Sequence, residues 1–234
     1  MNIEPIAHIH TNLSGKFGLP RQAGVIPELT GVITFEPDYR CADALRGLED
    51  FSHVWLLWGF SESAKEKHHG FYGDAPYAPM VRPPRLGGNE RKGVFATRSP
   101  FRPNNLGMSV VKLERITEDL ELVVSGVDLM DGTPIYDIKP YMPYSDSLPE
   151  ASEGFTCASP DLKLTLVNAG DLHEFALAAG LDEEMEAELT GILRNDPRPQ
   201  YQRDPDRVYG LTYGGHNVRF RISDTDALTV LSIE

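Results

Sequence analysis

Cysteine is nearly absent: Cys41 and Cys157 are the only two in 234 residues, too few for a disulfide-framed fold. No apolar run exceeds Val54–Phe60, far short of the roughly 20 residues a membrane-spanning helix needs. The first residues carry Glu4, His8 and His10 and lack the basic flank and apolar segment of a signal peptide. These absences lead us to expect a reduced, cytoplasmic protein without membrane contact. Common enzyme signatures are missing too. No G-x-G-x-x-G follows a strand, no P-loop is present, and no G-x-S-x-G elbow occurs. His68-His69 has no cysteine or acid at metal-ligand spacing around it, so no metal site is expected.

Positive charge is also scarce, with 22 Lys+Arg against 35 Asp+Glu and a net charge of −13. That total hides one basic island. Residues 81–103 hold Arg82, Arg85, Arg91, Lys92, Arg98 and Arg102 against Glu90 alone. An acidic chain with one concentrated basic segment does not coat polyanions in bulk. It suits one anionic ligand at one face, or else a merely solvated charge run. Arginine next to proline recurs at Pro20-Arg21-Gln22, Arg82-Pro83-Pro84-Arg85, Phe101-Arg102-Pro103 and Asp196-Pro197-Arg198-Pro199. Proline restricts its own φ and the residue before it. A guanidinium on such a loop is either poised for a phosphate or carboxylate, or braces the fold through ion pairs.

Hydrophobic residues at 41% and charged residues at 24% are ordinary globular composition. Strand patterns dominate to about residue 140: Ile3–Thr11, Gly31–Phe35, His53–Phe60, Lys92–Thr97, Met108–Thr117 and Leu120–Val127, with a short turn at Glu118-Asp119. One helix is expected over Ala42–Asp50. This pattern argues for a barrel or sandwich over a doubly wound sheet. A Pro-, Ser- and acid-rich stretch at 143–160 reads as a linker. Beyond it, Asp171-x-x-Glu174 reads as a capping box for a helix closed by Gly180, and a second helix begins near Asp182 and stops before Pro197. Val208–Tyr213, His216–Ile222 and Leu228–Ile233 then read as a three-stranded meander. The expected organisation is a β-rich barrel or sandwich over 1–148, a linker over 149–160 and a small α+β domain over 161–234.

The segments 82–109 (RPPRLGGNERKGVFATRSPFRPNNLGMS), PRQ at 20–22, LEDFSHVWLLWGF at 48–60, DLMDGTPIYDIKPYMPYSDSLP at 128–149 and DPRPQY at 196–201 together resemble the TrmO family. These are S-adenosylmethionine-dependent tRNA methyltransferases unrelated to Rossmann enzymes. The resemblance runs collinearly along nearly the whole chain. It implies a mainly β protein with an N-terminal single-sheeted β-barrel, a small C-terminal α+β domain and a homodimer. It also implies methylation of N6-threonylcarbamoyladenosine next to the anticodon of a threonine tRNA.

Carried onto this sequence, the resemblance places the cofactor among Arg21, Gln22, Phe60, Ser61, Arg98, Met108 and the loop Asp128, Leu129, Met130, Asp131 and Gly132. Ser61 stands where some relatives carry histidine. Those residue types suit the ligand: acids and arginines for its ribose and amino-acid end, apolar groups for its adenine, and aromatics for its cationic sulfur. Asp137, Asp131 and Tyr141 are candidates for a general base. Arg91 and Lys92, together with Asp196, Arg198 and Tyr201, are expected to contact tRNA. The alternative from the residues alone is a noncatalytic barrel that binds RNA or a nucleotide through its arginines.

Overall fold

A computed structural model describes residues 3–60, 77–83, 90–156, 163–198 and 204–234. Six strands close into one antiparallel barrel: β1 (Ala7–His10), β2 (Thr30–Phe35), β3 (His53–Gly59), β6 (Leu106–Ile116), β7 (Leu122–Ser125) and β8 (Thr133–Pro140), in the order β1-β2-β7-β6-β3-β8. Alternation of side chains across each strand fills the barrel: Ile9, Ile33, Val54, Leu56, Val111, Leu122, Val124 and Ile135 are each at most 1% exposed. The apolar run Val54–Phe60 is thus a central strand hydrogen-bonded on both sides, to β6 and β8.

Between β3 and β6 the chain leaves the barrel for a small excursion. There β4 (Met80–Val81) pairs with β5 (Lys92–Gly93) over a satellite core of Ala78, Val81 and Val94. Most of the basic island therefore forms a lobe at one end of the barrel. The strand expected over Lys92–Thr97 stops at Gly93 and turns into a 3-10 helix at Val94–Ala96.

Several other expectations shift for local reasons. The helix expected over Ala42–Asp50 is split, because Gly47 at φ +85° ends α1 (Ala42–Leu45) and a 3-10 turn covers Leu48–Asp50. The β6–β7 turn is wider than Glu118-Asp119, with Leu120 left-handed at φ +62° and Thr117 N bonded to Glu121 O. The first half of the expected linker holds α2 (Pro143–Asp146). It is pinned to β3 by Trp55 Nε1 donating to Asp146 Oδ2 at 2.9 Å.

The C-terminal part packs α3 (Ala169–Ala178) and α4 (Glu183–Arg194) with a sheet ordered β10 (Val208–Tyr213), β11 (His216–Ile222), β12 (Ala227–Ile233) and β9 (Thr165–Leu166). The meander is as expected; the two-residue β9, parallel to β12, was too short to register in the sequence. The expected capping box does not form. The N-cap of α3 is Asn168, and its side-chain amide donates to Asp171 Oδ2 and to Val230 O instead. Asp182 does cap α4, accepting from Met185 N at 2.8 Å.

One buried cluster runs through barrel and C-terminal part alike. At the join, Glu188 of α4 is 1% exposed. It accepts from Thr30 N at 2.8 Å, Thr30 Oγ1 at 2.5 Å, Asn12 Nδ2 at 3.1 Å and Tyr213 OH at 2.6 Å. Burial and the adjacent carboxylate push the Tyr213 hydroxyl's pKa upward, so it stays a donor. Gly191 lets α4 approach the 25–30 segment, since a Cβ there would meet Ile26 Cγ2 at 2.5 Å.

Candidate functional site

The mouth of the barrel, beside the satellite lobe, holds a cavity of about 440 Å³, within the range of small-ligand sites. Its floor is aromatic. Trp58 and Phe60 pack edge to face, with centroids 4.3 Å apart. The Trp58 ring lies over Gly107, where a Cβ would come within 2.4 Å of it. Trp58 is 8% exposed, and its Nε1 donates to Ser109 Oγ at 3.0 Å. Ser109 in turn donates to Asp128 Oδ1 at 2.7 Å.

Asp128 is the only carboxylate among the described residues lining this cavity. Burial raises its pKa above the usual carboxylate value, against the opposing pull of Ser109, backbone amides and the Arg98 charge. Arg21, Arg98, Lys16 and Arg102 line the same cavity. Arg98 Nη1 donates to Gln22 Oε1, tying the PRQ turn to the satellite lobe. A site with one desolvated carboxylate, an aromatic floor and an arginine rim fits a ligand that carries both signs of charge and a flat apolar group.

A second cavity of about 1060 Å³ adjoins the first, and Arg21, Gln22, Thr97, Arg98 and Pro100 line both. Its remaining wall includes Arg82, Arg91, Phe95, Phe101 and Phe155. No acid lines it among the described residues. Not every arginine of the island serves as a ligand group: Arg102 Nη1 donates to Val94 O at 3.2 Å and Thr97 O at 2.7 Å, bracing the lobe.

Of the expected cofactor residues, Arg21, Gln22, Phe60, Arg98, Met108, Asp128, Leu129 and Met130 come together around the first cavity. Ser61 lies outside the described residues. Asp131 and Gly132 do not line the cavity. Asp131 turns toward β1, accepting from Thr11 N at 3.2 Å with His10 Nδ1 3.4 Å away, and Gly132 serves the turn at φ +72°.

The candidate bases Asp137 and Tyr141 line neither cavity. A β-bulge between the Leu57 and Trp58 pairs shifts the parity of β8: Ile135 points inward, while Asp137 stands opposite Leu57 on the outer face. There Asp137 pairs with Lys139 Nζ at 2.9 Å. Tyr141 packs against Trp55 and His53 on the outside.

The expected tRNA contacts divide. Arg91 lines the second cavity, whereas Lys92 pairs with Glu90 and sits 5.9 Å over the Phe155 ring. Arg198 is not displayed as a ligand group. Its side chain is 4% exposed, with Nε 2.9 Å from Asp196 Oδ1 and Nη2 3.2 Å from Asp226 Oδ1. Burial pulls its pKa down, but the two carboxylates more than offset this and leave it raised. Tyr201 lies outside the described residues. Sequence reading missed Trp58, Gly107, Ser109 and Thr133; only Trp58, an aromatic inside a strand that ends at a loop, left any signal.

The fold is a closed antiparallel barrel with a mixed-charge, ligand-sized cavity at its mouth and, beside it, a second cavity that no acid lines among the described residues. Residues 8–147 match the family described as the tRNA-methyltransferase O N-terminal domain, and residues 173–234 match the TrmO C-terminal domain. The chain belongs to the TrmO family. It is 37% identical over 230 residues to the tRNA (adenine(37)-N6)-methyltransferase of Escherichia coli K12, covering 94% of this chain and 93% of that one. It is 44% identical over 188 residues to the enzyme of that name from Eikenella corrodens, covering 79% of this chain and 99% of that one. The crystal structure of TrmO from Pseudomonas aeruginosa superposes with a TM-score of 0.77 at 31% identity, covering 100% of this chain and 98% of that one.

Proposed function

We propose that this chain is an S-adenosylmethionine-dependent tRNA methyltransferase that methylates N6 of adenosine 37, as its named relatives in Escherichia coli and Eikenella corrodens are described as doing. A further relative, from Pseudomonas aeruginosa, is described provisionally as an S-adenosylmethionine-dependent methyltransferase. In this reading the acceptor adenosine carries a threonylcarbamoyl group, and the protein works as a cytoplasmic homodimer. The barrel binds the cofactor and the C-terminal part meets tRNA. The observation that carries the reading is Asp128: one desolvated carboxylate, set between an aromatic floor and an arginine rim.

Bound S-adenosylmethionine supplies an electrophilic methyl group on a positively charged sulfur. Asp128 provides the counter-charge for the ligand's cationic groups, which relieves the cost of holding that carboxylate out of water. The Trp58 and Phe60 rings offer their faces to a cation or to adenine. Arg21 and Arg98 are placed to take the ligand's carboxylate in forked hydrogen bonds. Trp58, Leu106 and Met130 exclude water from the floor. The acceptor nitrogen must lose a proton, and Asp128, the carboxylate that lines this cavity among the described residues, is placed to accept it. Most of the rate enhancement then comes from alignment.

The test is transfer of labelled methyl from S-adenosylmethionine to threonine tRNA carrying or lacking the threonylcarbamoyl group, with digestion to nucleosides. Label on N6 of adenosine 37, dependent on that group, is expected. Cofactor binding without incorporation into either RNA would leave a noncatalytic binding protein. Incorporation into both equally would remove the threonylcarbamoyl requirement.

A further inference from the structure

The second cavity has no assigned role, and its chemistry is unusual for an acidic protein. Arg82 and Arg91 sit one step beyond the paired residues Val81 and Lys92, so the β4–β5 register brings them to facing positions. Like charges at facing positions repel, and neither arginine makes an ion pair among the described residues. Both line the cavity, and no acid does among the described residues. Two guanidiniums on one wall with no counter-ion among the described residues suit an anion from outside.

The rest of the wall says what else that anion carries. Phe95 is 69% exposed although it is held firmly: Tyr77 stacks on it at 6.1 Å, the Arg102 guanidinium lies 5.7 Å from its ring centre, and Arg102 also bonds the turn on which Phe95 sits. An exposed, braced ring beside a cavity of about 1060 Å³ is a stacking platform. A phosphate on the RNA backbone would need neither the ring nor the apolar wall of Ala78, Met80 and Phe101. Arg98 and Gln22, hydrogen-bonded to one another, form part of both cavities, so a group in the second lies next to a ligand in the first.

We propose that the second cavity is the acceptor pocket: Phe95 stacks the flipped-out adenine, and Arg82 and Arg91 together read a carboxylate at the end of its N6 substituent. This rests on reading the first cavity as the methyl-donor site. Arg82 and Arg91 are then specificity-determining residues that act on the substituent and take no part in bond making.

The experiment uses two anticodon stem-loops that differ in one group, adenosine 37 bearing threonylcarbamoyl or its methyl ester. Binding and methyl transfer are measured at one fixed salt concentration for wild type, Arg82→Met, Arg91→Met and Phe95→Leu, with melting temperatures as a control for folding. Wild type is expected to bind the acid about tenfold more tightly than the ester, as loss of a charge-assisted contact implies. Either Met variant should shrink that ratio to below about threefold while binding of the ester holds. Phe95→Leu should weaken both RNAs together. Equal binding of acid and ester by wild type, or a full ratio in both Met variants, overturns the proposal. If wild type methylates adenosine 37 but does not sense the ester, the pocket assignment fails and the methyltransferase reading stands. If the ratio depends on the arginines but no methyl is transferred, the reverse holds.

Discussion

Ser109 Oγ donates to Asp128 Oδ1 at 2.7 Å while accepting from Trp58 Nε1 at 3.0 Å. This short chain couples the aromatic floor of the barrel-mouth cavity to its carboxylate. Ser109 faces the barrel interior because β6 alternates there, and it is 4% exposed. A Ser109→Ala variant leaves the Trp58 N–H without its acceptor and takes a stabilising hydrogen bond from Asp128. Loss of about 1–3 kcal/mol of stability is expected, with a further rise in the Asp128 pKa. Denaturant melts and carboxylate titration by NMR measure the two; an unchanged titration would break the proposed link.

Gly107 and Trp58 form the other fixed point of the floor. A Gly107→Ala methyl would sit 2.4 Å from the ring, and the ring cannot recede into a filled barrel. Overpacking of this kind costs roughly 1–3 kcal/mol. The variant should melt lower, shift its tryptophan fluorescence and lose cofactor affinity. A normal cofactor affinity with a shifted fluorescence would mean that Trp58 does not shape the site.

Removal of Glu188 strands four donors at the join between barrel and C-terminal part. Glu188→Ala should cost roughly 2–4 kcal/mol, read by chemical denaturation, while cofactor affinity of the folded protein stays within twofold. Arg198→Ala leaves Asp196 and Asp226 unpaired, and both hold left-handed backbone, at φ +50° and +57°. Its melting temperature should fall together with its turnover, because the arginine holds the 196–198 turn in place. Lost turnover at an unchanged melting temperature would instead assign Arg198 to the RNA.

Asp137→Ala should retain near wild-type turnover, because the β8 bulge turns that carboxylate to the outer face and Lys139 already pairs with it. A loss of a hundredfold or more, measured with labelled methyl on tRNA, would return Asp137 to the chemistry.

Much of this was legible in the sequence. The strands at Gly31–Phe35 and His53–Phe60, the helix beginning near Asp182 and the C-terminal meander all stand as read, since each is a local signal. The resemblance gathered eight residues around the cavity that lie far apart in the chain. Asp137 stands outside the cavity because a bulge inverts parity in β8, which leaves no mark in composition. Asp128 and Asp131 were read alike as ligand residues, because nothing in the loop's sequence shows which carboxylate loses water. Lys92–Thr97 has strand propensity, but its second half finds no partner strand and curls. The pairing of Arg198 needed Asp226, 28 residues away.

The most direct measurement is calorimetric binding of S-adenosylmethionine to wild type and Asp128→Asn, with melting curves at neutral and acidic pH. The raised pKa of Asp128 means that the native state favours its proton. Its ionisation therefore costs stability as pH rises from the ordinary carboxylate range through the raised value, and costs nothing below that range. Asparagine keeps the Ser109 hydrogen bond without the charge. The variant should thus melt higher than wild type near pH 7, the gap should close at acidic pH, and cofactor affinity near pH 7 should fall at least about tenfold. A variant that binds as tightly as wild type, or a wild type that does not bind the cofactor, would contradict the assignment of this cavity.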